Sequence, residues 1–537
     1  MADTIEQVKA SPVMTAEGRY DSLAVIRSPY LERARDSARI SIPGLFPPEG
    51  SSGSTKFYKP FQSVLARGLN NLSSKIMLAL FPPGSSFFKL TMDDFVVAAL
   101  EAKAGSADAA KDARAAFEKA LGSVERAVIN RMEQVGARLQ ILEAVKQLLV
   151  SGNALLQVLP KGKLVLYKLT NFVVKRDPEG TVVEIVLKQS LSRMTLPERA
   201  RAIVAAQAPE PKSDQPGDDS IDLFTRITRK SQRGHSWWAV HQEIVGQRIP
   251  DTEGTYPIDK SPWIPLRLFQ SAGEDYSRGF IEEIIGDGQS LESLSQSIVE
   301  FAGVASKILF MVNESGVTSK KKVSEAPSGG VIDGDAKDIT ILTLEKFADF
   351  RVAKETADGI EKRLEQAFLL SSSVQRNAER VTAEEIRLLA QDLEQAHAGL
   401  YSILSQEMQR PLVTRYMLQM QKENALPSLP EEAVSPQIVT GLEALGRGAD
   451  LQKLDILVSG AATLFGTEVV AEYIDPGSYL TRRGTALGID TKGIVRSEEQ
   501  VAQARQQRMA ATLTEKLAPG AQKIAAEQAS AEQQPTQ

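Results

Sequence analysis

Apolar positions recur at steps of three and four along most of the chain, and in short branched runs in one central stretch. The first spacing puts side chains on one face of a helix; the second belongs to strands. A helix is predicted over 30–42, carrying Arg33, Arg35 and Arg39 and stopped by Pro43-Gly44. A second is predicted over 60–81. Phe61, Val64, Leu65, Leu69, Leu72, Ile76, Met77 and Leu80 form its stripe, and Pro82-Pro83-Gly84 ends it. Residues 98–120 are rich in Ala, Lys, Asp and Glu and read as an exposed helix or helix–loop–helix. One long helix is expected over 117–151, striped by Leu121, Val124, Val128, Met132, Leu142, Val145 and Leu149, with Gly152-Asn153 as its C-cap.

The pattern then changes. Runs at 154–159, 164–168, 172–176 and 182–187 are short and rich in branched residues, and turn residues separate them. They predict one antiparallel meander. A polar, Pro-containing loop at 207–219 interrupts it. Strands resume at 221–227 and 236–244, and Pro257, Pro262 and Pro265 close the β-rich part, about 154–270. Helical spacing returns over 276–307, striped by Ile281, Ile284, Leu291, Leu294, Ile298 and Phe301. Short strands and turns follow over 308–351, then a helix over 352–370 and a polar link at 371–381. Thr382-Ala383-Glu384-Glu385 fits a capping box, with Val381 and Ile386 as its hydrophobic staple. The helix it opens is expected to reach about 424 with a kink near Pro411. Shorter helices are expected over 437–510. The Ala/Gln/Glu-rich tail, 511–537, has helix propensity without an apolar stripe and should fray alone.

These elements make a mainly α chain with a β-rich subdomain, an α+β class. Its 537 residues are 42% hydrophobic and 24% charged, enough for a large core. The absence of cysteine excludes disulfides, thiolate metal sites and a Cys nucleophile. No apolar run approaches the roughly 20 residues that span a bilayer. The N-terminus lacks a leader pattern, so the expected site of folding is a reducing cytoplasm. With Lys+Arg 63 against Asp+Glu 68, the net charge is −5. A polyanion contact must therefore be local.

The search for catalytic chemistry yields little. There is no phosphate-binding loop and no Gly-x-Ser-x-Gly elbow. His235, His241 and His397 are the only histidines, and packing or surface roles suit them better than metal ligation. The acidic pairs Asp93-Asp94, Glu282-Glu283 and Glu384-Glu385 are adjacent in sequence, so they diverge on a helix rather than converge on a metal ion. Lys320-Lys321-Lys322 reads either as a solvated turn or as a contact for phosphate or an acidic partner.

Three runs carry a resemblance. They are Ala66-Arg67-Gly68-Leu69-Asn70-Asn71-Leu72 with Lys75-Ile76-Met77-Leu78-Ala79-Leu80-Phe81-Pro82; Ser373-Val374-Gln375-Arg376 with Glu379-Arg380-Val381-Thr382-Ala383-Glu384-Glu385-Ile386-Arg387; and Thr440-Gly441-Leu442-Glu443-Ala444 with Gly446-Arg447-Gly448. Together with the order of elements, they make the chain resemble the portal, or head-to-tail connector, of short-tailed podoviruses of the Autographivirus type, over about 20–500.

The resemblance implies a non-enzymatic ring, usually of twelve copies, at one capsid vertex. Double-stranded DNA would pass through it during packaging and ejection, without sequence preference. It implies a wing over 1–275, a first stem helix over 276–307, a clip over 308–351 and a second stem helix over 352–370. A tunnel loop over 371–381, a long wing helix over 382–424 and a crown over 425–510 would follow. Gln375, Arg376 and Arg380 would line the tunnel, Lys320, Lys321 and Lys322 the clip, and Lys354, Lys362 and Arg363 the stem. The implied partners are the terminase large subunit, major capsid protein, scaffolding protein, tail adaptor and internal core proteins, with no cofactor and no membrane. The protein would reside in the virion, and in host cytoplasm during assembly. The alternatives are a metal-dependent nuclease built on the acidic pairs, or a scaffold or capsid protein without a channel.

Overall fold

The computed structural model describes residues 14–91 (without 52, 84 and 85), 107–207, 220–305 (without 270), 309–342 (without 328), 347–370, 399–426, 437–440 and 447–466, with isolated positions within 388–395 and 469–503. The chain divides into two compact units: 1–96 with 124–442, and 97–123 with 443–537. The capping box at 382–385 and the tail at 511–537 lie outside the described residues.

Helix α1, Ala16–Ile40, starts well before the predicted 30–42. Thr15 caps it, its hydroxyl accepting from the Gly18 amide at 3.2 Å. Pro29 does not end it. Tyr20, Leu23, Arg27, Leu31, Ala34 and Ala38 are buried along one continuous face, and that packing outweighs the one backbone bond a proline removes. Helix α2, Val64–Leu80, buries the predicted stripe from Val64 onward, while Phe61 before it stays exposed. Strand β1, Phe88–Thr91, pairs antiparallel with the late segment Gln437–Thr440. The expected single helix over 117–151 is two, α3 (Ala107–Gln134) and α4 (Ala137–Ser151). Gly136 separates them at φ +65°, a left-handed backbone that a helix interior cannot hold.

The expected meander splits between two sheets. β2 (Asn153–Val158) pairs with β3 (Leu164–Tyr167) and with a much later strand, Trp263–Arg267, in the order late strand, β2, β3. Pro265 therefore lies within a strand, opposite Leu155, instead of ending the β region. That strand is at the sheet edge, where a missing N–H is tolerated. β4 (Phe172–Arg176) and β5 (Val182–Ser192) join the larger sheet with β6 (Ser220–Gln232), β7 (His235–Ile244), β8 (Gln247–Arg248) and β9 (Gly254–Pro257); the late edge strand is β10.

One face of the larger sheet takes α1, with Ala16, Tyr20 and Leu23 packed on Val173, Val186 and Phe224. Another cluster sets Leu196, Ala200 and Val204 of an unanticipated helix α5, Glu198–Gln207, and the turn before it against Leu223 and Ile244. Most of the predicted loop at 207–219 lies outside the described residues.

Helical structure returns with α6 (Phe280–Glu283), α7 (Ile285–Ala305) and, after an insertion, α9 (Phe347–Ala367). The insertion holds β11 (Leu309–Val312), the six-residue α8 (Lys320–Glu325) and β12 (Ile339–Leu342). The helix expected over 382–424 is not continuous. Gly399 at φ +86° precedes α10 (Leu400–Leu404), and a π-turn at Ser405–Gln409 leads into α11 (Arg410–Lys422). The π-turn precedes Pro411, which lacks an amide for the regular ladder.

In the second unit, α12 spans Arg447–Phe465. Beyond it, Tyr479 donates its hydroxyl to Asp455, and Arg483 donates to both. Ile456, Leu457, Leu464, Phe465 and Tyr473 are exposed there.

A backbone-to-backbone seam locks the first unit. A Cβ on Gly279 would lie 2.2 Å from the Val150 carbonyl oxygen, and one on Gly152 would lie 2.3 Å from that of Arg278. The Asn153 side chain bridges the seam, donating to the Ser277 carbonyl at 2.8 Å and accepting from the Ser277 amide at 2.9 Å. Backbone cannot swing aside as a side chain can, so Gly279→Ala is expected to cost about 3 kcal/mol, the upper range for overpacking. Denaturant unfolding of the variant beside the wild type measures this, and an unchanged midpoint would refute the seam.

Candidate functional site

Helices α7 and α9 pack as an antiparallel pair. At one end, Arg363 donates in a fork to Asp287, at 3.1 Å from Nε and 2.8 Å from Nη2. At the other end, the rings of Phe301 and Phe350 stack with centroids 5.0 Å apart. At about 1.5 Å per residue, 21 residues make each helix roughly 31 Å long. The charge on this pair is lopsided. α7 carries Asp287, Glu292 and Glu300 and no basic residue. On α9, Arg351, Lys354, Lys362 and Arg363 face more acids: Asp349, Glu355, Asp358, Glu361 and Glu365.

Acidic groups on the pair also tie it to its surroundings. Buried Glu292 accepts from the Tyr58 hydroxyl at 2.7 Å and from the Phe61 and Gln62 amides at 2.9 and 3.2 Å. Glu361 pairs with Arg67 of α2 at 3.1 Å. Around the C-terminal end of α9, α2 supplies what the helix lacks. The last carbonyls of a helix have no partner within it. Asn71 donates to those of Phe368 and Leu369, and Lys75 donates to that of Leu369 at 2.6 Å. Burial holds the Lys75 ammonium below its ordinary pKa. Gly68 leaves room for the Phe368 ring, which a Cβ there would meet at 2.3 Å. So Arg67, Gly68, Asn71 and Lys75, all within the first of the runs that carry the resemblance, serve the helix that leads into 371–381.

The insertion is closed by Asp338. Its Oδ2 accepts from the Val317 and Thr318 amides and from the Thr318 hydroxyl, at 2.9, 3.1 and 3.0 Å. A Cβ on Gly316 would lie 2.2 Å from this carboxyl group, so the turn needs glycine. Lys320, Lys321 and Lys322 occupy the first turn of α8, not a plain turn, and all three are exposed. Lys320 pairs with Glu314 at 2.6 Å. Among the described residues, Lys321 and Lys322 make no ion pair.

Of the other predicted residues, Lys354 and Lys362 are exposed on α9 and make no ion pair among the described residues; Arg363 spends its guanidinium on Asp287. Gln375, Arg376 and Arg380 lie outside the described residues, as do His397, Asp93-Asp94 and Glu384-Glu385. His241 is half-buried beside Glu243 at 3.0 Å, and its pKa is lowered by burial first, then by Arg248. His235 is exposed. Glu282 lies 3.6 Å from Arg33. Among the described residues, no group of three or more His, Asp or Glu could hold a metal ion, and no helix is long and apolar enough to cross a membrane. Asp287 and Asp338 are not singled out by the sequence, and Asn71 and Lys75 stand there only within a run, because each works on a partner elsewhere in the chain.

Residues 13–495 match the family described as bacteriophage head to tail connecting protein. The chain is 42% identical to the portal protein of Escherichia phage T7 over 92% of its own length and 90% of that protein's. It is 41% identical to the portal protein of Enterobacteria phage T3, over 90% and 89%. A chain from the neck of an empty GTA particle, computed with C6 symmetry, aligns at 10% identity and TM-score 0.35, covering 80% of this chain and 90% of that one. The α+β fold and the sequence relatives together define a connector of the portal class. The chain belongs to the bacteriophage head-to-tail connecting protein family, and the role of that family is structural.

Arg363 holds the Asp287 carboxyl below its ordinary pKa, chiefly through the hydrogen bond. A depressed carboxylate pKa stabilises the fold above the ordinary Asp range and loses that contribution as pH falls through the folded value. Arg363→Ala should therefore melt lower than wild type at neutral pH, and the gap should close in acid. Thermal melts of both proteins across pH test this. Asn71→Ala takes the donor from the Phe368 carbonyl, while Lys75 still serves that of Leu369, and should cost about 1–3 kcal/mol in denaturant unfolding.

Proposed function

We propose that copies of this chain assemble into a ring, of twelve copies by family resemblance, around an axial channel for double-stranded DNA. In this reading the antiparallel pair α7–α9 is the stem that walls the channel. The observation that carries it is the electronegative, braced character of this pair, in a chain of the connector family. A wall that repels phosphate lets a polyanion slide, whereas rows of unpaired cations would hold it. Gln375, Arg376 and Arg380, in the link at 371–381, are the constriction in this assignment, and Lys354 and Lys362 are minor stem cations.

The insertion between the stem helices is then the clip, whose Lys320, Lys321 and Lys322 face the terminase large subunit and later the tail adaptor. Residues 1–275 and 382–424 form the wing, facing the major capsid and scaffolding proteins. Residues 425–510 form the crown, toward the internal core proteins. The protein resides in the virion, at the portal vertex, after assembly in the host cytoplasm. It hydrolyses nothing itself; the terminase supplies the work.

Negative-stain class averages of the purified protein test the ring directly. Rings with an axial hole are expected, and compact monomers at high concentration would refute the assignment. Changing both Arg376 and Arg380 to Ala should leave rings intact and reduce retention of packaged DNA. Equal packaging and retention would remove both residues from the channel.

A further inference from the structure

The hairpin of β6 and β7 outruns its sheet. β5 pairs with β6 only up to Glu184 opposite Thr228, and β9 pairs with β7 only out to Pro257 opposite Trp237. β6 runs four residues past β5, and beyond the Lys230–Trp237 rung, where β9 also ends, Ser231–Ser236 extends past both neighbours by roughly 7 Å at about 3.3 Å per residue. The arm turns at Arg233 and Gly234, both left-handed, with φ +51° and +81°.

The arm is polarised. Its acids, Asp222 and Glu243, lie at the base and are engaged: Asp222 with Lys188 at 2.8 Å, Glu243 with His241 and the Ala16 amide. Its tip reads Arg229-Lys230-Ser231-Gln232-Arg233-Gly234-His235-Ser236. Among the described residues, Arg229, Lys230 and Arg233 make no ion pair. The nearest acid by register, Glu184 opposite Thr228, is taken by Arg19 and Arg226, and Glu179 on the turn before β5 and Asp259 after β9 make no ion pair with the tip cations either.

We propose that this tip is a sequence-independent contact for the phosphate backbone of duplex DNA, on a surface separate from the channel. Every side chain from Arg229 to Ser236, glycine aside, can donate a hydrogen bond, and such donors are what phosphate oxygens accept. A protein-binding surface is built around a buried apolar anchor with a polar rim. This tip offers no apolar side chain, and Trp237 behind it is already half-buried between Lys230 and Pro257. Charges lie on both faces of the arm. Cross-strand register puts Arg229 on the Trp238 face and Lys230 on the Trp237 face. That spread suits a charged groove or ridge better than one shaped pocket. In a chain of net charge −5, the contact must be local, as this one is.

The proposal does not depend on ring formation, and the experiment separates the two. Binding of a short fluorescent DNA duplex to the full chain is followed by anisotropy across salt concentration. The test variant is Arg229→Gln, Lys230→Gln and Arg233→Asn together; Asn tolerates the left-handed turn. At low salt its affinity should fall tenfold or more. The slope of log K against log salt should shrink by about two to three, since each phosphate contact contributes about 0.9. Melting temperature and assembly state should stay unchanged. A second variant, Arg229→Lys with Arg233→Lys, keeps the charge and should keep the binding. Equal binding by the neutralised variant would overturn the proposal. So would loss of binding only when Lys354 and Lys362 are changed to Gln, which would assign the contact to the stem. Polyglutamate competing as well as duplex DNA would overturn the nucleic-acid assignment in favour of an acidic protein partner.

Discussion

The α7–α9 pair stands where it does because the strap before it, residues 271–279, is pressed backbone against backbone on the end of α4. Only glycine fits at 152 and 279. Asn153 then reads both the amide and the carbonyl of Ser277, and Leu268 donates to the Gly152 carbonyl at 2.9 Å. The strap is also pinned to the larger sheet. The Val174 amide donates to the Tyr276 hydroxyl at 3.0 Å, and Asp275 accepts from the Arg176 amide at 2.7 Å and from Lys175 at 2.9 Å. Burial drives the Tyr276 hydroxyl pKa well above its ordinary value, so it stays a neutral partner at any working pH. Two sheets and α4, together with Tyr30 of α1, whose ring centroid lies 5.4 Å from that of Tyr276, thus converge on one turn of chain, and α6 and α7 leave from there.

Electrostatics in this chain serve placement first. Glu292 is spent on the 58–62 segment, Asp338 on closing the insertion, Arg363 on Asp287 and Arg67 on Glu361. Salt bridges as exposed as the last two are individually weak. Their effect is to fix register between the helices they join. The cations of α9 that make no ion pair among the described residues, Lys354 and Lys362, are outnumbered by acids, which keeps the helix pair electronegative. The exposed cations without ion pairs at the β6–β7 tip and on α8 stand apart from that pattern.

Much of the fold was legible in the sequence. Apolar periodicity located α2, the α3–α4 region and α7; α2 and α4 bury their stripes against a large core, whereas along α7 only Leu291 of the predicted stripe is buried. The failures share one cause. The predicted helix over 30–42 begins only after Pro29, and Pro265 reads as closing the β-rich part, yet α1 runs through the first and β10 through the second. Local rules cannot weigh a continuous buried face, or an edge position, against one missing amide. The four-strand meander failed likewise. β2 keeps its sequence neighbour β3 on one side but takes Trp263–Arg267, about a hundred residues away, on the other, and no local pattern encodes that pairing.

The sequence by itself determined the family, the α+β class and the lack of cysteine chemistry, because these rest on residue identity and order alone. Its quoted runs even held the residues that brace α9, although their task was invisible there. Tertiary structure alone decided that Asn71 and Lys75 reach the carbonyls of Phe368 and Leu369, that Arg363 meets Asp287, and that the basic hairpin tip extends past its sheet. The first two pair groups separated by long stretches of chain, and the third depends on where the flanking strands end. Hydrogen bonds and ion pairs act over a few ångströms, so only the folded backbone can bring such groups within range.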